Sequence, residues 1–246
     1  MTDRNNYYVK KKSKFMKDFD EDLTVAKEIL ESRFDANKVE QMIKSMREKY
    51  ERMLPEIPYI GGQKNPTTLI LLRCVSNLAI FFELEKEGFS FNEIGEFYYN
   101  FSLGAHLKRK RILEKSGRDP SLYPFDKTYV DYQKKLCENT QKKEFPGDWV
   151  MEFVEGVGTN FDWGWDIYEC GVQKAYKAFK GEKYLPFICL GDHYEAEVLG
   201  FGFSRSQTLG FGAPLCDHRF IKNGTTSIAW PPDGLKEFNL DYWEES

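Results

Sequence analysis

Several things are scarce in this chain, and each scarcity excludes a class. No apolar run is long enough for a bilayer span: the most apolar stretch, residues 67–82, is broken by Arg73 and Asn77 and reads as a buried core helix. The first 17 residues carry Lys10, Lys11, Lys12 and Lys14 but no apolar core of a secretory leader. Positive charge is not in excess, with 35 Lys and Arg against 39 Asp and Glu and a net charge of −4, which argues against a nucleic-acid or membrane-surface partner. The five cysteines, Cys74, Cys137, Cys170, Cys189 and Cys216, form an odd set without a Cys-x-x-Cys pair, unlike a secreted disulfide framework. There is no internal repeat or low-complexity segment, and there are only three histidines. A soluble, cytoplasmic protein with reduced thiols and a small-molecule partner is the expectation. With 246 residues, 41% hydrophobic and 16% aromatic, the chain has ample material for a full core.

The pattern of what is present changes along the chain. Leu23, Ala26, Ile29 and Leu30, then Val39, Met42, Ile43, Met46 and Tyr50, follow helical spacing and predict two amphipathic helices over residues 18–54. Asn65-Pro66 offers a cap and a first-turn proline for a third, running to about Gly88. Ser90 with Glu93 has capping-box form and opens a fourth through Ile94, Phe97, Phe101 and Leu107. The basic run from His106 to Arg111 on it reads as a solvated face. One more helix is expected over residues 126–143, with Tyr129, Tyr132 and Leu136 inward. After Pro146-Gly147 the period drops to two, predicting a hairpin from residues 150–155 and 161–168 across Gly156 and Gly158. Residues 171–179 and 185–198 look helical, residues 201–209 and 215–221 look like strands, and the tail after Pro231-Pro232 reads as a surface wrap. The expectation is an α+β fold with a helical region over 1–145 and a mostly antiparallel sheet with packed helices over 146–246, joined as one compact unit.

Chemistry concentrates in the carboxyl half, where three cysteines fall within 47 residues: Glu169-Cys170-Gly171, Cys189-Leu190-Gly191-Asp192 and Cys216-Asp217-His218-Arg219-Phe220. If Cys189 opens a helix, Asp192 shares its face and the helix dipole lowers the thiol pKa. In a strand, Cys216, His218 and Phe220 share one face and Asp217 and Arg219 the other, so register decides which set enters a cavity. His106, His193 and His218 are the possible partners for a thiol nucleophile. A zinc ion on Cys170, Cys189 and Cys216 is chemically possible, although nothing in the sequence requires a cofactor. Arg205 and Thr208 have the chemistry to hold a carboxylate, and Trp163, Trp165, Tyr168 and Tyr194 could wall a pocket for a flat ring. The glycine-bearing run from Gly200 to Gly212 has the wrong form for a phosphate loop or a dinucleotide fingerprint.

At these residues the chain resembles the L-2-amino-thiazoline-4-carboxylic acid hydrolase family. The resemblance rests on Glu169-Cys170-Gly171, the run from Leu185 to Asp192, the run from Arg205 to Ala213 and Cys216-Asp217-His218-Arg219-Phe220, matched in order and spacing over residues 150–221. His218 stands where the family usually has an aromatic residue, so the resemblance implies no role for it. What it does imply is hydrolytic opening of a small cyclic amidine or isothiourea, such as a thiazoline carboxylate that yields a carbamoyl cysteine. The expected catalytic set is Cys189 as nucleophile or metal thiolate, Asp192 as base or amidinium partner, and Cys170 and Cys216 in the same pocket. Arg205 or Arg219 would hold the substrate carboxylate, with Thr208, Asp217 and Glu169 around it. The layout is also similar to vinyl-4-reductase-type domains, which implies a second expectation: a non-catalytic small-molecule sensing or binding module whose cysteines hold zinc.

Overall fold

The computed structural model describes residues 6–157 and 160–233, with Leu235 and Phe238. The helical half begins earlier than periodicity suggests. A short α1 (Asn6–Lys10) precedes α2 (Lys12–Leu30), because Phe15 and Met16 extend the buried stripe of Phe19, Leu23, Ala26 and Leu30 toward the amino terminus. Asp35 caps α3 (Ala36–Met53) by accepting the Lys38 N–H at 3.0 Å. The Asn65 side chain accepts the Thr67 N–H at 3.0 Å at the head of α4 (Thr67–Lys86). The expected capping box is formed at α5 (Phe91–Lys115), where the Ser90 hydroxyl accepts the Glu93 N–H at 3.3 Å and Glu93 accepts the Ser90 N–H at 2.8 Å. α4 is the apolar stretch noted above; at 20 residues it is, against the sequence reading, long and apolar enough by composition to cross a membrane, and 72% of its most apolar window is buried among its neighbours, from Leu71 and Val75 to Phe81 and Leu84.

α6 (Lys127–Thr140) opens at Asp126 as expected, but its inward face is rotated. Gln133, Cys137 and Thr140 are buried, whereas Tyr132 is 46% exposed. Polar residues can face inward here because the adjoining strand supplies partners: the Thr140 hydroxyl accepts the Met151 N–H at 2.9 Å.

The second half is a four-stranded antiparallel sheet with helices on one face, in the order β1 (Val150–Glu155), β2 (Trp163–Glu169), β4 (Cys216–Ile221), β3 (Gly202–Ser204). The β1–β2 hairpin forms as read from sequence; Gly158 of its expected turn lies outside the described residues, as does most of the expected tail wrap. The strand expected over residues 201–209 is only three residues long. It stops after Ser204 because the Asp217 carboxylate accepts the N–H groups of Ser206 and Gln207, both at 2.9 Å, and turns the chain away from the sheet. α7 (Gly171–Ala178) and α8 (Leu185–Leu199) match the sequence reading. One continuous core runs from Phe19 and Tyr50 through Leu78 and Phe81 to Phe187 and Tyr194, uniting the helical and sheet regions.

Register places Met151, Phe153, Trp163, Trp165, Cys216 and His218 on the helix-facing side. β2 and β4 approach so closely at Gly164 that an added Cβ would run into the His218 carbonyl. Gly164→Ala is therefore expected to cost about 2 kcal/mol through overpacking and to displace His218, checked by denaturant unfolding of the variant against the parent.

Candidate functional site

α8 carries Cys189 and Asp192 three residues apart, and Arg205 ties them together. Its guanidinium donates to the Cys189 carbonyl at 2.8 Å and to the Asp192 carboxylate at 3.0 Å. Cys189 is the fifth residue of α8 and not its first, because Leu185 and Pro186 already form the opening turn. The expected dipole effect is accordingly lost: burial pushes the Cys189 thiol up to about 12, so it rests protonated, with the Arg205 charge only partly opposing the rise.

Asp192 is the anionic centre. His218 Nε2 lies 3.1 Å from Asp192 Oδ2 and 3.2 Å from Arg205, so the three side chains form a closed triangle. Burial opposes the carboxylate charge, but the hydrogen bond and pull of His218, with Arg205 and His193 behind them, outweigh it and hold Asp192 at about 2. The Arg205 and His218 side chains are 1% and 5% exposed, whereas Asp192 is 43% exposed. A charge fixed from behind and open in front can receive a cation. A carboxyl this acidic is a poor proton acceptor near neutral pH, which favours the partner role of Asp192 over that of base.

Thr208 links the thiols. Its Oγ1 lies 3.6 Å from Cys189 Sγ and 3.3 Å from Cys216 Sγ, and the Leu209 N–H donates to Cys216 Sγ at 3.2 Å. Gly210 lets the loop come close, since a Cβ there would sit 3.1 Å from Cys189 Sγ. Cys170, directly ahead of α7, is pushed up to about 12 by burial and senses the charge of Cys216. The structure thus brings Cys189 and Cys216, which sequence grouped only by position, onto one hydroxyl. Thr208→Val is expected to cost about 1 kcal/mol, by removing the hydroxyl from the Gly210 N–H and both sulfurs. Slower alkylation of Cys189 at a fixed pH would report the lost hydrogen bond.

Other expected residues lie elsewhere. Register puts Asp217 and Arg219 on the far face of the sheet, where Arg219 pairs with Asp166 at 2.8 Å and Asp217 holds the Ser206 turn. Glu169 pairs with Lys143 and Lys174 at 3.1 and 2.6 Å. Arg205 is too enclosed and too committed to receive a substrate carboxylate. Of the expected aromatic wall, Trp165 packs beside His218 with ring centres 5.9 Å apart, while Tyr168 is 42% exposed on the opposite face. Trp165 Nε1 and His218 Nδ1 are buried without a hydrogen-bond partner among the described residues. A cavity of about 680 Å³ at the far end of the hairpin, lined by Phe125, Lys134, Phe153 and Trp163, has no thiol or imidazole in its wall.

His106 on α5 is depressed by burial and senses Glu195, Arg109, Arg73 and Asp192, and Arg73 stands exposed on α4. Among the described residues, no three His, Cys, Asp or Glu side chains are arranged to hold a metal ion. No family model, no curated protein and no solved structure matches the chain.

Proposed function

We propose that the protein is a soluble, cytoplasmic hydrolase that opens a small cyclic amidine or isothiourea ring, with L-2-amino-thiazoline-4-carboxylate as the first substrate to try. The observation that supports this most is an open carboxylate, Asp192, held ionised by two buried cationic or donor groups, with the Cys189 thiol on the same helix face. An amidinium is flat, cationic and electron-poor at its central carbon, so a carboxylate to hold it and a thiol to attack it are the groups the reaction needs.

In this reading Cys189 Sγ adds to the amidinium carbon, the ring carbon–sulfur bond breaks, and the thiol proton passes to the departing ring sulfur. Water then adds to the same carbon, the bond to Cys189 breaks, and the thiol is regenerated. One water is consumed, one proton is released, and the product is a carbamoyl cysteine. Bound amidinium charge also favours the Cys189 thiolate, which compensates for a thiol that rests protonated in the free protein.

Incubation of the purified protein with the thiazoline carboxylate, followed by mass spectrometry, tests the proposal. Ring-opened product at a rate proportional to protein concentration is expected. Tight retention of the ligand with no product would leave a binding module in place of an enzyme.

A further inference from the structure

After β4 the chain returns to the site as a strap. Its root is fixed at Thr226, whose hydroxyl accepts the Phe203 N–H at 2.8 Å and donates to the Phe201 carbonyl at 3.0 Å. Two residues on, the Tyr99 hydroxyl of α5 reaches the Ile228 carbonyl at 3.5 Å. Trp230 then fills a notch where α5 meets α8. A Cβ at Gly95 would sit 2.0 Å from the Trp230 indole and 2.8 Å from the Phe187 ring, so glycine leaves the room that the indole occupies. The Trp230 ring stands edge-on to Phe187 with centres 5.7 Å apart.

From the notch the strap reaches the cover of the thiol. Phe238 packs edge-on to Trp230 at 5.9 Å and to Phe211 at 5.6 Å. Phe211 belongs to the turn in which Thr208 and Gly210 lie against Cys189 Sγ. Four rings, Phe187, Trp230, Phe238 and Phe211, thus join α8 to that turn in an unbroken chain of contacts. Side chains alone make the attachment: among the described residues, the backbone hydrogen bonds of residues 229–238 stay within the strap, as from Asp233 to Pro231 and from Phe238 to Leu235. A segment held by a few apolar contacts, with no backbone ladder to the body, opens at a lower free energy than the core.

We infer that Trp230 and Phe238 make this strap a lid over Cys189, Trp230 being the latch and the Phe238–Phe211 contact the means by which it holds the turn down on the thiol. The lid rests on Cys189 as the reacting group and serves any substrate that reaches it, so it goes beyond the choice of ring. Trp230 and Phe238 are positioning residues: neither touches Cys189, and both act through the turn.

The test uses the full chain and iodoacetamide, a small neutral probe, at one pH, with each cysteine read separately by peptide mass spectrometry. Trp230→Ala should speed labelling of Cys189 by about 10-fold, and Trp230→Phe should keep most of the protection. Phe238→Ala should give a smaller rise, and adding it to Trp230→Ala should give no further one, because the two rings act in series. Cys137, 2% exposed beneath β1, should label as slowly in the variants as in the parent. Unchanged labelling of Cys189 in Trp230→Ala would overturn the lid, and so would an equal rise at Cys137, which marks a general loosening of the fold. Neither reading depends on turnover: faster labelling of Cys189 in a protein that opens no ring upholds the lid and discards the hydrolase, whereas unchanged labelling leaves the hydrolase standing.

Discussion

Asp192→Asn is expected to lower kcat/KM by about 10²–10³-fold, because it removes the part-exposed anion that faces the amidinium in the transition state as well as in the bound substrate. The same change affects stability with a definite sign. The Asp192 carboxyl is held at about 2 against an ordinary 3.8, so its contribution is present above the unfolded value and is lost as pH falls through about 2. With the side chain 43% exposed, that contribution comes to about 1 kcal/mol after allowance for solvent screening. Neutralising Asp192 also strips a partner from the enclosed Arg205, bringing the total to about 2–3 kcal/mol at neutral pH. The gap between parent and variant should therefore narrow between pH 4 and pH 2, measured by denaturant titration across that range. A gap independent of pH would mean that His218 and Arg205 do not hold the carboxylate.

Cys189→Ser should abolish turnover, by about 10³-fold or more, with the fold retained, since serine is close in size and the site is only half-buried. Hydroxyl for sulfur at this position removes the nucleophile, because a serine there has no adjacent base: the imidazole at hand, His218, is engaged by Asp192 and Arg205. The parent's own pH profile carries a second signature. A thiol pushed up to about 12 is mostly protonated at neutral pH, so kcat/KM should rise with pH through the alkaline range, and a plateau below pH 7 would be inconsistent with it. Cys216→Ser is expected to act more mildly, as the Leu209 N–H and Thr208 hydroxyl can still donate to a serine oxygen.

Much of this architecture can be read from local chemistry. The box formed by Ser90 and Glu93, the Asn65 turn that accepts the Thr67 N–H and the strand over residues 150–155 depend on residues a few positions apart; the box and the strand occur where the spacing places them, while the cap position of α4 falls on Pro66. The errors arise where distant partners override local pattern. Tyr132 fits an inward stripe by periodicity, but Thr140 takes the interior because β1 offers it a partner, and Gln133 is buried on the same face. The third strand ends early because Asp217, eleven residues on from Ser206, captures the backbone there. For the site, alternation along residues 216–221 left the choice of face open, and pairing with β2 resolves it in favour of Cys216 and His218. The electrostatics were the least legible part. A dipole-lowered Cys189 required it to open a helix, yet the helix starts four residues earlier at Leu185 and encloses the thiol. Arg205 has the right group for a substrate carboxylate, but the enclosure that spends it on Asp192 and the Cys189 carbonyl is a tertiary fact.

The most direct test of the account compares the parent, Cys189→Ser and Asp192→Asn in one assay: ring opening of L-2-amino-thiazoline-4-carboxylate followed by mass spectrometry, with near-ultraviolet circular dichroism confirming that each protein is folded. The account predicts carbamoyl cysteine from the parent and product formation slowed by at least about 100-fold in both variants. Equal rates in all three folded proteins would contradict it.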